Sequence, residues 1–250
     1  MPKRKNNVSA AGSKKERAHM LMSNMSFAAS ESYKLLRTNL MFSFSDEEKC
    51  HIIGITSSFR GEGKSLTSVN LAYTLAEAGK KVLLIEGDMR LPTLAARLGL
   101  KSSPGLSNLI AGMNVPRDVV QTYKVDAEGD KSVLFQVLAS GDIPPNPSEL
   151  LGSARMQSLL NRLRSLYDYV ILDLPPVTVV TDAVLASRSV DGLVVVVRNN
   201  VAVRAALADT IRQLRLVDAH ILGFVFNGAT ESGGGYYKGK NYYKKNYYKK

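Results

Sequence analysis

The sequence predicts an α/β fold, with a mainly parallel β-sheet that carries helices on both faces. Short apolar runs of strand length alternate with helical segments along most of the 250 residues, which is typical of parallel sheets covered on both sides. The hydrophobic content of 45% is enough for a large core. No apolar run approaches the roughly 18 residues that a membrane-spanning helix needs.

Each element is predicted from its periodicity and its end signals. The first strand is expected at His51–Ser57, and the helix at Ser65–Ala78 is ended by Gly79. Further strands are expected at Lys81–Ile85, Val133–Leu138, Tyr169–Leu174, Gly192–Val197 and Ile221–Phe226. Further helices are expected at Ala29–Phe42, Pro92–Leu98, Ser148–Leu166 and Val203–Leu216. Parallel sheets bind ligands at the carboxyl ends of their strands, so functional residues should follow the apolar runs.

The net charge of +11 is concentrated at the two ends of the chain. Residues 21–230 hold 21 Lys and Arg against 20 Asp and Glu, so the central part is almost neutral. We therefore expect a flexible basic arm at 1–28, one globular domain at 29–230 and a disordered tyrosine-rich tail at 231–250. Basic ends attract anionic partners without specificity, and this distribution does not indicate a specific nucleic-acid-binding domain.

Two features indicate a cytoplasmic protein. The basic residues Lys3, Arg4 and Lys5 have no apolar segment behind them, so a secretory signal is not expected. Cys50 is the sole cysteine, which excludes an internal disulfide and a cysteine-based metal site. Its simplest role is that of a small core residue.

A phosphate-binding loop follows the first strand and opens a helix. The segment from Ser58 to Ser65 fits G-x-x-x-x-G-K-[ST], with Ser58 in the first glycine position. Glycines allow backbone amides to face phosphate oxygens, and the helix N-terminus adds positive charge. Lys64 would reach the terminal phosphates and Ser65 would bind Mg²⁺. The loop predicts a P-loop NTPase-like fold that binds ATP through Arg60, Gly61, Glu62, Gly63, Lys64, Ser65 and Leu66.

Acidic residues follow two of the predicted strands. Glu86 and Asp88 come after one strand, and Asp173 comes directly after another. A phenol has a pKa of about 10, so a carboxylate beside it can accept its proton during phosphoryl transfer. We predict that Lys64, Glu86, Asp88 and Asp173 are catalytic. We predict that Ser65, Asp88 and Asp173 hold the metal.

Two other polar residues have two interpretations each, and a third has one. Arg90 is suited either to phosphate binding or to a structural ion pair. Asn227 follows the last strand and is suited either to an adenine contact or to an Asn-Gly turn. Asp182 is interpreted as the N-cap of a following helix.

The chain resembles the bacterial tyrosine kinases of capsule and exopolysaccharide synthesis over residues 30–250. The resemblance is carried by SSFRGEGKS, VLLIEGDMRLPTL, VILDLPP, SGDIPPNPSELL and the tyrosine-rich tail. Glu86 stands where the family usually has Asp. The family's E-x-x-R-x-x-R pattern for ring assembly corresponds here to Glu31, Lys34 and Arg37, with Lys34 in place of the first Arg. An ordinary solvated helix face is the other interpretation of these three residues.

The resemblance implies a protein-tyrosine kinase that uses ATP and Mg²⁺ and modifies its own tail. It also implies a homo-oligomeric ring, a membrane-embedded adaptor of the polysaccharide co-polymerase type that activates the kinase and recruits it to the membrane, and a cognate tyrosine phosphatase. Partitioning and division-site ATPases carry an extra lysine in the loop, where this chain has Phe59. That difference argues against their nucleotide-sandwiched dimer.

The tail holds six of the eleven tyrosines in the chain, arranged as three pairs among lysines. These pairs are Tyr236 and Tyr237, Tyr242 and Tyr243, and Tyr247 and Tyr248. We predict that they are autophosphorylated, since each phosphate adds about two negative charges to a basic segment. The alternatives are a non-kinase ATPase switch whose tail binds an anionic partner such as nucleic acid or a membrane surface, and an assembly module that uses nucleotide only for structure.

Overall fold

The computed structural model describes residues 25–44, 49–126 and 132–229. The predicted N-terminal arm lies almost wholly outside these ranges, and the tail at 231–250 lies outside them entirely. Within the described ranges, no helix combines the length and apolar character that crossing a bilayer demands.

Seven strands form the described sheet: β1 His51–Ser57, β2 Val82–Glu86, β3 Val120–Asp126, β4 Ser132–Leu138, β5 Tyr169–Asp173, β6 Gly192–Arg198 and β7 Ile221–Asn227. The described helices are α1 Phe27–Phe42, α2 Lys64–Glu77, α3 Leu94–Leu98, α4 Leu106–Ala111, α5 Pro116–Val119, α6 Pro147–Leu151, α7 Ala154–Leu163, α8 Asp182–Ala186 and α9 Arg204–Arg215. A 3₁₀ turn at Ser187–Ser189 follows α8.

The strands are ordered β3-β4-β2-β5-β1-β6-β7. All neighbouring pairs are parallel except β3 and β4, which are antiparallel. The central strands β1, β2 and β5 are buried along their whole length, as expected where both faces are covered. The prediction of a mainly parallel sheet is confirmed.

Helices cover both faces of the sheet, as predicted. One face packs against residues of α1, α2 and α3, including Leu40, Leu71 and Leu94. The other face packs against α4, α6, α7, α8 and α9, with Leu160 in its core. Cys50 is buried in that second cluster, in agreement with its predicted role as a small core residue.

The sequence pattern missed several elements and joined two others. The helix predicted at Ser148–Leu166 is two helices, α6 and α7, with Gly152 and Ser153 between them. Ser153 caps α7 by accepting from the Met156 amide, which starts a new helix there. Strand β3 was not predicted because its edge position leaves it half polar, without an apolar run.

Candidate functional site

The predicted functional residues meet at the carboxyl edge of the sheet. The phosphate loop follows β1, Asp173 ends β5, and Asp88 follows β2. Because β2, β5 and β1 are consecutive parallel neighbours, these groups lie side by side. This is the edge at which parallel α/β sheets bind ligands.

Two glycines give the phosphate loop its shape. Gly61 has φ 84° and Gly63 has φ 97°, a region in which side chains are strained. A Cβ on Gly63 would lie 1.9 Å from Nδ2 of Asn227. Helix α2 starts at Lys64, immediately after this glycine, so its first amides face the loop. Free amides at a helix N-terminus are a ready site for phosphate oxygens.

Ser58, which replaces the first glycine of the motif, is held inside the protein. Its hydroxyl accepts from the Thr210 hydroxyl at 2.9 Å, and its carbonyl accepts from the Thr178 hydroxyl at 2.5 Å. The Glu62 carboxylate turns inward and accepts from the Phe59 amide at 2.8 Å. The backbone of Glu62, rather than its buried side chain, is therefore what the loop offers to a ligand.

Lys64 reaches across the edge to the acid that follows β2. Its Nζ lies 3.3 Å from Oδ2 of Asp88, and both side chains are mostly buried. The other Asp88 oxygen accepts from the Leu91 amide at 3.2 Å, which fixes the carboxylate. Lys64 and Asp88 are thus brought together as predicted.

Asp173 lies beneath the same loop. Ser68 donates to its Oδ1 at 3.1 Å, and the Ser65 hydroxyl also lies close to it. Burial raises the pKa of Asp173, while the nearby Lys64 ammonium and the two serines oppose that shift. The ionised form of a buried carboxylate is stabilised when a cation or a hydrogen-bond donor approaches it.

Glu86 has a different environment from the one predicted for a catalytic acid. Its Oε1 accepts from the Leu94 amide at 2.5 Å and its Oε2 from the Ser140 amide at 3.2 Å. Only 1% of its surface is exposed, and burial raises its pKa. Both oxygens tie the loops after β2 and β4 together, so the geometry favours a structural role for Glu86 over the predicted catalytic one.

Arg90 forms the structural ion pair rather than an open phosphate contact. Its Nε and Nη2 each lie 3.0 Å from oxygens of Asp182, and Nη2 also donates to Ser148 at 2.8 Å. Asp182 is completely buried. The N-cap prediction for Asp182 is wrong, because Thr181 holds that position and Asp182 is the first helical residue. Neither Ser148 nor this network was signalled by the sequence pattern.

Two residues at the ends of β6 and β7 support the loop from the side. Asn227 donates from Nδ2 to the Glu62 carbonyl at 2.9 Å, so it contacts the backbone of the phosphate loop. Arg198 donates to the Gly61 carbonyl at 2.9 Å. Sequence reasoning missed Arg198, although its place at the end of an apolar run was the available signal. The adenine contact proposed for Asn227 stays a prediction.

The residues predicted for ring assembly lie on α1. Lys34 pairs with Glu31 at 2.9 Å, with both side chains partly exposed. Arg37 donates to the Thr74 carbonyl of α2 at 2.8 Å. The phenol of Tyr33, on the same helix, lies close to the Thr67 and Asn70 side chains of α2, and its burial raises its pKa. The helix is therefore docked on the phosphate-loop helix, and the interface role stays a prediction. The six tail tyrosines lie outside the described residues.

The residues at this edge suit a magnesium nucleotide. Positive-φ glycines and helix amides suit phosphate oxygens, and the Ser65 hydroxyl with the Asp88 and Asp173 carboxylates supplies hard oxygen ligands. No group of three or more His, Cys, Asp or Glu that could hold a metal occurs among the described residues. Mg²⁺ needs few protein ligands because it keeps several waters and binds substrate phosphates.

Comparison with known proteins agrees with this arrangement. The AAA domain family matches residues 50–221. Tyrosine-protein kinase YwqD of Bacillus subtilis is 36% identical over 92% of this chain and 95% of its own length. The kinase domain of the Escherichia coli tyrosine kinase ETK is 32% identical, with a TM-score of 0.75, over 84% of this chain and 79% of that one.

The crystal structure of the chimerical protein CapA2B2 is also similar, at 35% identity and a TM-score of 0.69, over 78% of this chain and 83% of that one. The matched regions include the phosphate loop and the strands that carry both acids. These likenesses imply nucleotide binding, and the chain belongs to the bacterial tyrosine-protein kinases.

Proposed function

We propose that this kinase uses ATP and Mg²⁺ to phosphorylate the tyrosine pairs of its own tail. The observation that carries the proposal is the Lys64 amine between a glycine-shaped loop and two carboxylates at neighbouring strand ends, 3.3 Å from one of them. Bound MgATP would supply the phosphoryl group and a cation that neutralises charge on it.

The chain's own residues then have separate roles. Lys64 and the loop amides hold the phosphate oxygens, while Ser65 and Asp173 are placed to orient the metal. Asp88 is the better candidate to accept the phenol proton, because it is 8% exposed against 1% for Asp173. A base must be within reach of the proton that it accepts, and the less buried acid meets an incoming tyrosine first.

The proposed setting is polysaccharide synthesis and export. The resemblance to capsule and exopolysaccharide kinases supports this setting, and the likeness to the chimerical protein CapA2B2 supports an adaptor of the polysaccharide co-polymerase type. We propose that the adaptor recruits the kinase from the cytoplasm to the membrane, and that a tyrosine phosphatase reverses the reaction.

We also propose that the kinase acts within a ring assembled through Glu31, Lys34 and Arg37, each tail serving as substrate for a neighbour. Phosphates on the tails would then repel one another and open the ring. An unchanged subunit count after complete tail phosphorylation would contradict this step.

The test is incubation of the purified chain, with its adaptor, in labelled ATP and Mg²⁺. We expect label on alkali-stable phosphotyrosine in the tail, its loss in Lys64→Ala, and its retention in Lys101→Ala, which removes an exposed lysine away from the loop. Phosphate release without phosphotyrosine would support the ATPase switch instead. Nucleotide binding with neither product would support an assembly module.

A further inference from the structure

A groove of about 460 Å³ opens beside the candidate site. Helix α4, the loop after β4 and helix α6 line it, with Met113, Ile143, Pro144 and Pro145 among its apolar residues. Met113 is 74% exposed and Ile143 is 67% exposed. Large exposed apolar side chains gathered in one concave surface are typical of a docking site.

The charged side chains of this groove are acidic. Asp142 and Glu149 both line it. Asp142 accepts from the Ser103 hydroxyl at 2.6 Å and from the Asn108 amide at 2.8 Å. These hydrogen bonds lower the pKa of Asp142, so its carboxylate stays ionised. The nearby Arg155 is directed to backbone carbonyls at the end of α4.

The tail of this chain has the complementary chemistry. Residues 236–250 are six tyrosines, six lysines, two asparagines and one glycine, with no acid. A tyrosine offers an apolar ring for the prolines and the exposed Met113 and Ile143, and a hydroxyl that stays in water. Lysines beside it would meet the two carboxylates, and such complementarity selects the partner more than it adds affinity.

The groove is also at a suitable distance from the reacting groups. It follows β4, and the phosphate loop follows β1, three strands away in the order β4-β2-β5-β1. Strands lie about 4.8 Å apart, so the two sites are about 14 Å apart along the edge. The tyrosine pairs repeat after six and then five residues, and an extended peptide covers about 17–20 Å over that interval.

We infer that the groove between α4 and α6 is a docking site for the tail, in which one tyrosine pair binds while the next pair lies at the phosphoryl-transfer site. The inference rests on the proposed function, because the groove gives the tail a second contact with the enzyme that is proposed to phosphorylate it. The groove lies about 24 Å along the edge from β7. The 13 residues from Thr230 to Tyr242 can extend about 43 Å, so the chain's own groove and that of a neighbour are both within reach.

Phosphorylation should weaken this docking. Each phosphate adds about two negative charges, which Asp142 and Glu149 would repel. A modified pair would therefore leave the groove and allow an unmodified pair to bind. The groove favours tails that still carry substrate.

The experiment uses the chain truncated after Gly235, which keeps every described residue and removes all six tail tyrosines. A fluorescent peptide of residues 231–250 is added as probe. Binding is measured by anisotropy without ATP at low and high salt, and KM and kcat for the peptide are measured with MgATP and the adaptor. The groove variants are Glu149→Lys and Ile143→Ser, both at exposed side chains.

The matched controls lie at the amino-terminal ends of the parallel strands, whereas the groove follows the carboxyl end of β4. Asp126→Lys reverses an exposed acid at the end of β3, and Leu166→Ser removes an exposed leucine before β5. We expect Glu149→Lys to weaken peptide binding about tenfold, a typical effect for loss of one interface anchor, and to raise KM more than it lowers kcat. The controls should match the parent chain. A peptide with one tyrosine pair should bind the parent as weakly as the full peptide binds Glu149→Lys.

Several results would overturn the inference. The first is equal peptide affinity in the groove and control variants, and the second is equal affinity for a scrambled peptide of the same composition. The third is occupation of the groove by a second folded copy of the chain rather than by the tail peptide. If the peptide binds through the groove and no tyrosine is ever phosphorylated, the proposed function fails and the docking site stands. If the peptide is phosphorylated equally by all variants, the docking site fails and the kinase function stands.

Discussion

Replacing Arg90 with alanine should destabilise the kinase more than replacing its acidic partner Asp182. The pair is asymmetric, because the Asp182 side chain is 0% exposed while that of Arg90 is 37% exposed. Arg90→Ala leaves a buried carboxylate whose remaining partner in this network is the Ser148 hydroxyl, 2.5 Å away. Breaking a buried pair costs about 3–5 kcal/mol, and partial solvation on the arginine side reduces this to about 2–3 kcal/mol.

The variant Asp182→Ala removes the buried carboxylate, which is the member of the pair that water cannot reach. In Asp182→Ala the guanidinium can turn to water, and the loss is that of hydrogen bonds, about 1–2 kcal/mol. The double variant should cost about as much as Asp182→Ala, since Arg90 has no buried charge left to neutralise. The free energy of unfolding, from urea denaturation followed by circular dichroism, measures all three.

An exposed ion pair provides the control. Arg212 and Asp209 lie 2.7 Å apart with side chains 72% and 50% exposed. Arg212→Ala should therefore change the unfolding free energy by at most about 1 kcal/mol. If Arg90→Ala costs no more than Arg212→Ala, or less than Asp182→Ala, then the buried carboxylate does not depend on Arg90 and the structural role is refuted.

Two further predictions concern the site itself. Gly63→Ala should lose nucleotide binding and stability, because it adds left-handed strain of about 1–2 kcal/mol to a collision with Asn227. Gly61→Ala should show the strain alone, since nothing lies within 4 Å of its Cβ; equal thermal shifts would contradict the collision. Burial raises the pKa of Glu86 above its ordinary 4.5, so its contribution to stability is complete below that value and declines as the pH rises through the folded value. As the pH rises above about 4.5, the unfolding free energy of the parent should therefore fall relative to that of Glu86→Gln, and a difference independent of pH would contradict this.

Sequence patterns predicted the strands that are buried on both faces and missed what lies at the edges. The apolar runs of β1, β2, β5 and β6 admit one interpretation, because a strand covered on both sides must be apolar throughout. Strand β3 is an edge strand whose inward and outward residues alternate weakly. Its pairing with β4 is a tertiary contact, which local periodicity does not encode.

The site residues also fall into those that the local sequence places and those whose partners are set by folding. Lys64, Asp88 and Asp173 were predictable because a loop motif and strand ends fix where the backbone places them. The role of Glu86 was not predictable, because it depends on which amides come within reach after folding. The same is true of Arg90, since its acidic partner lies 92 residues further along the chain.

The departures from the family pattern become understandable once these partners are known. Ser58 replaces a glycine, and its hydroxyl is not left unsatisfied because Thr210 of α9 donates to it at 2.9 Å. Glu86 replaces the usual aspartate, and its longer arm spans the gap between the Leu94 and Ser140 amides. In both cases the added atoms point into the protein, where a buried polar group must find a partner. In the proposed function the loop amides, Lys64 and the two aspartates are left to face the ligand, so Ser58 and Glu86 alter the support of the site and not its proposed reacting groups.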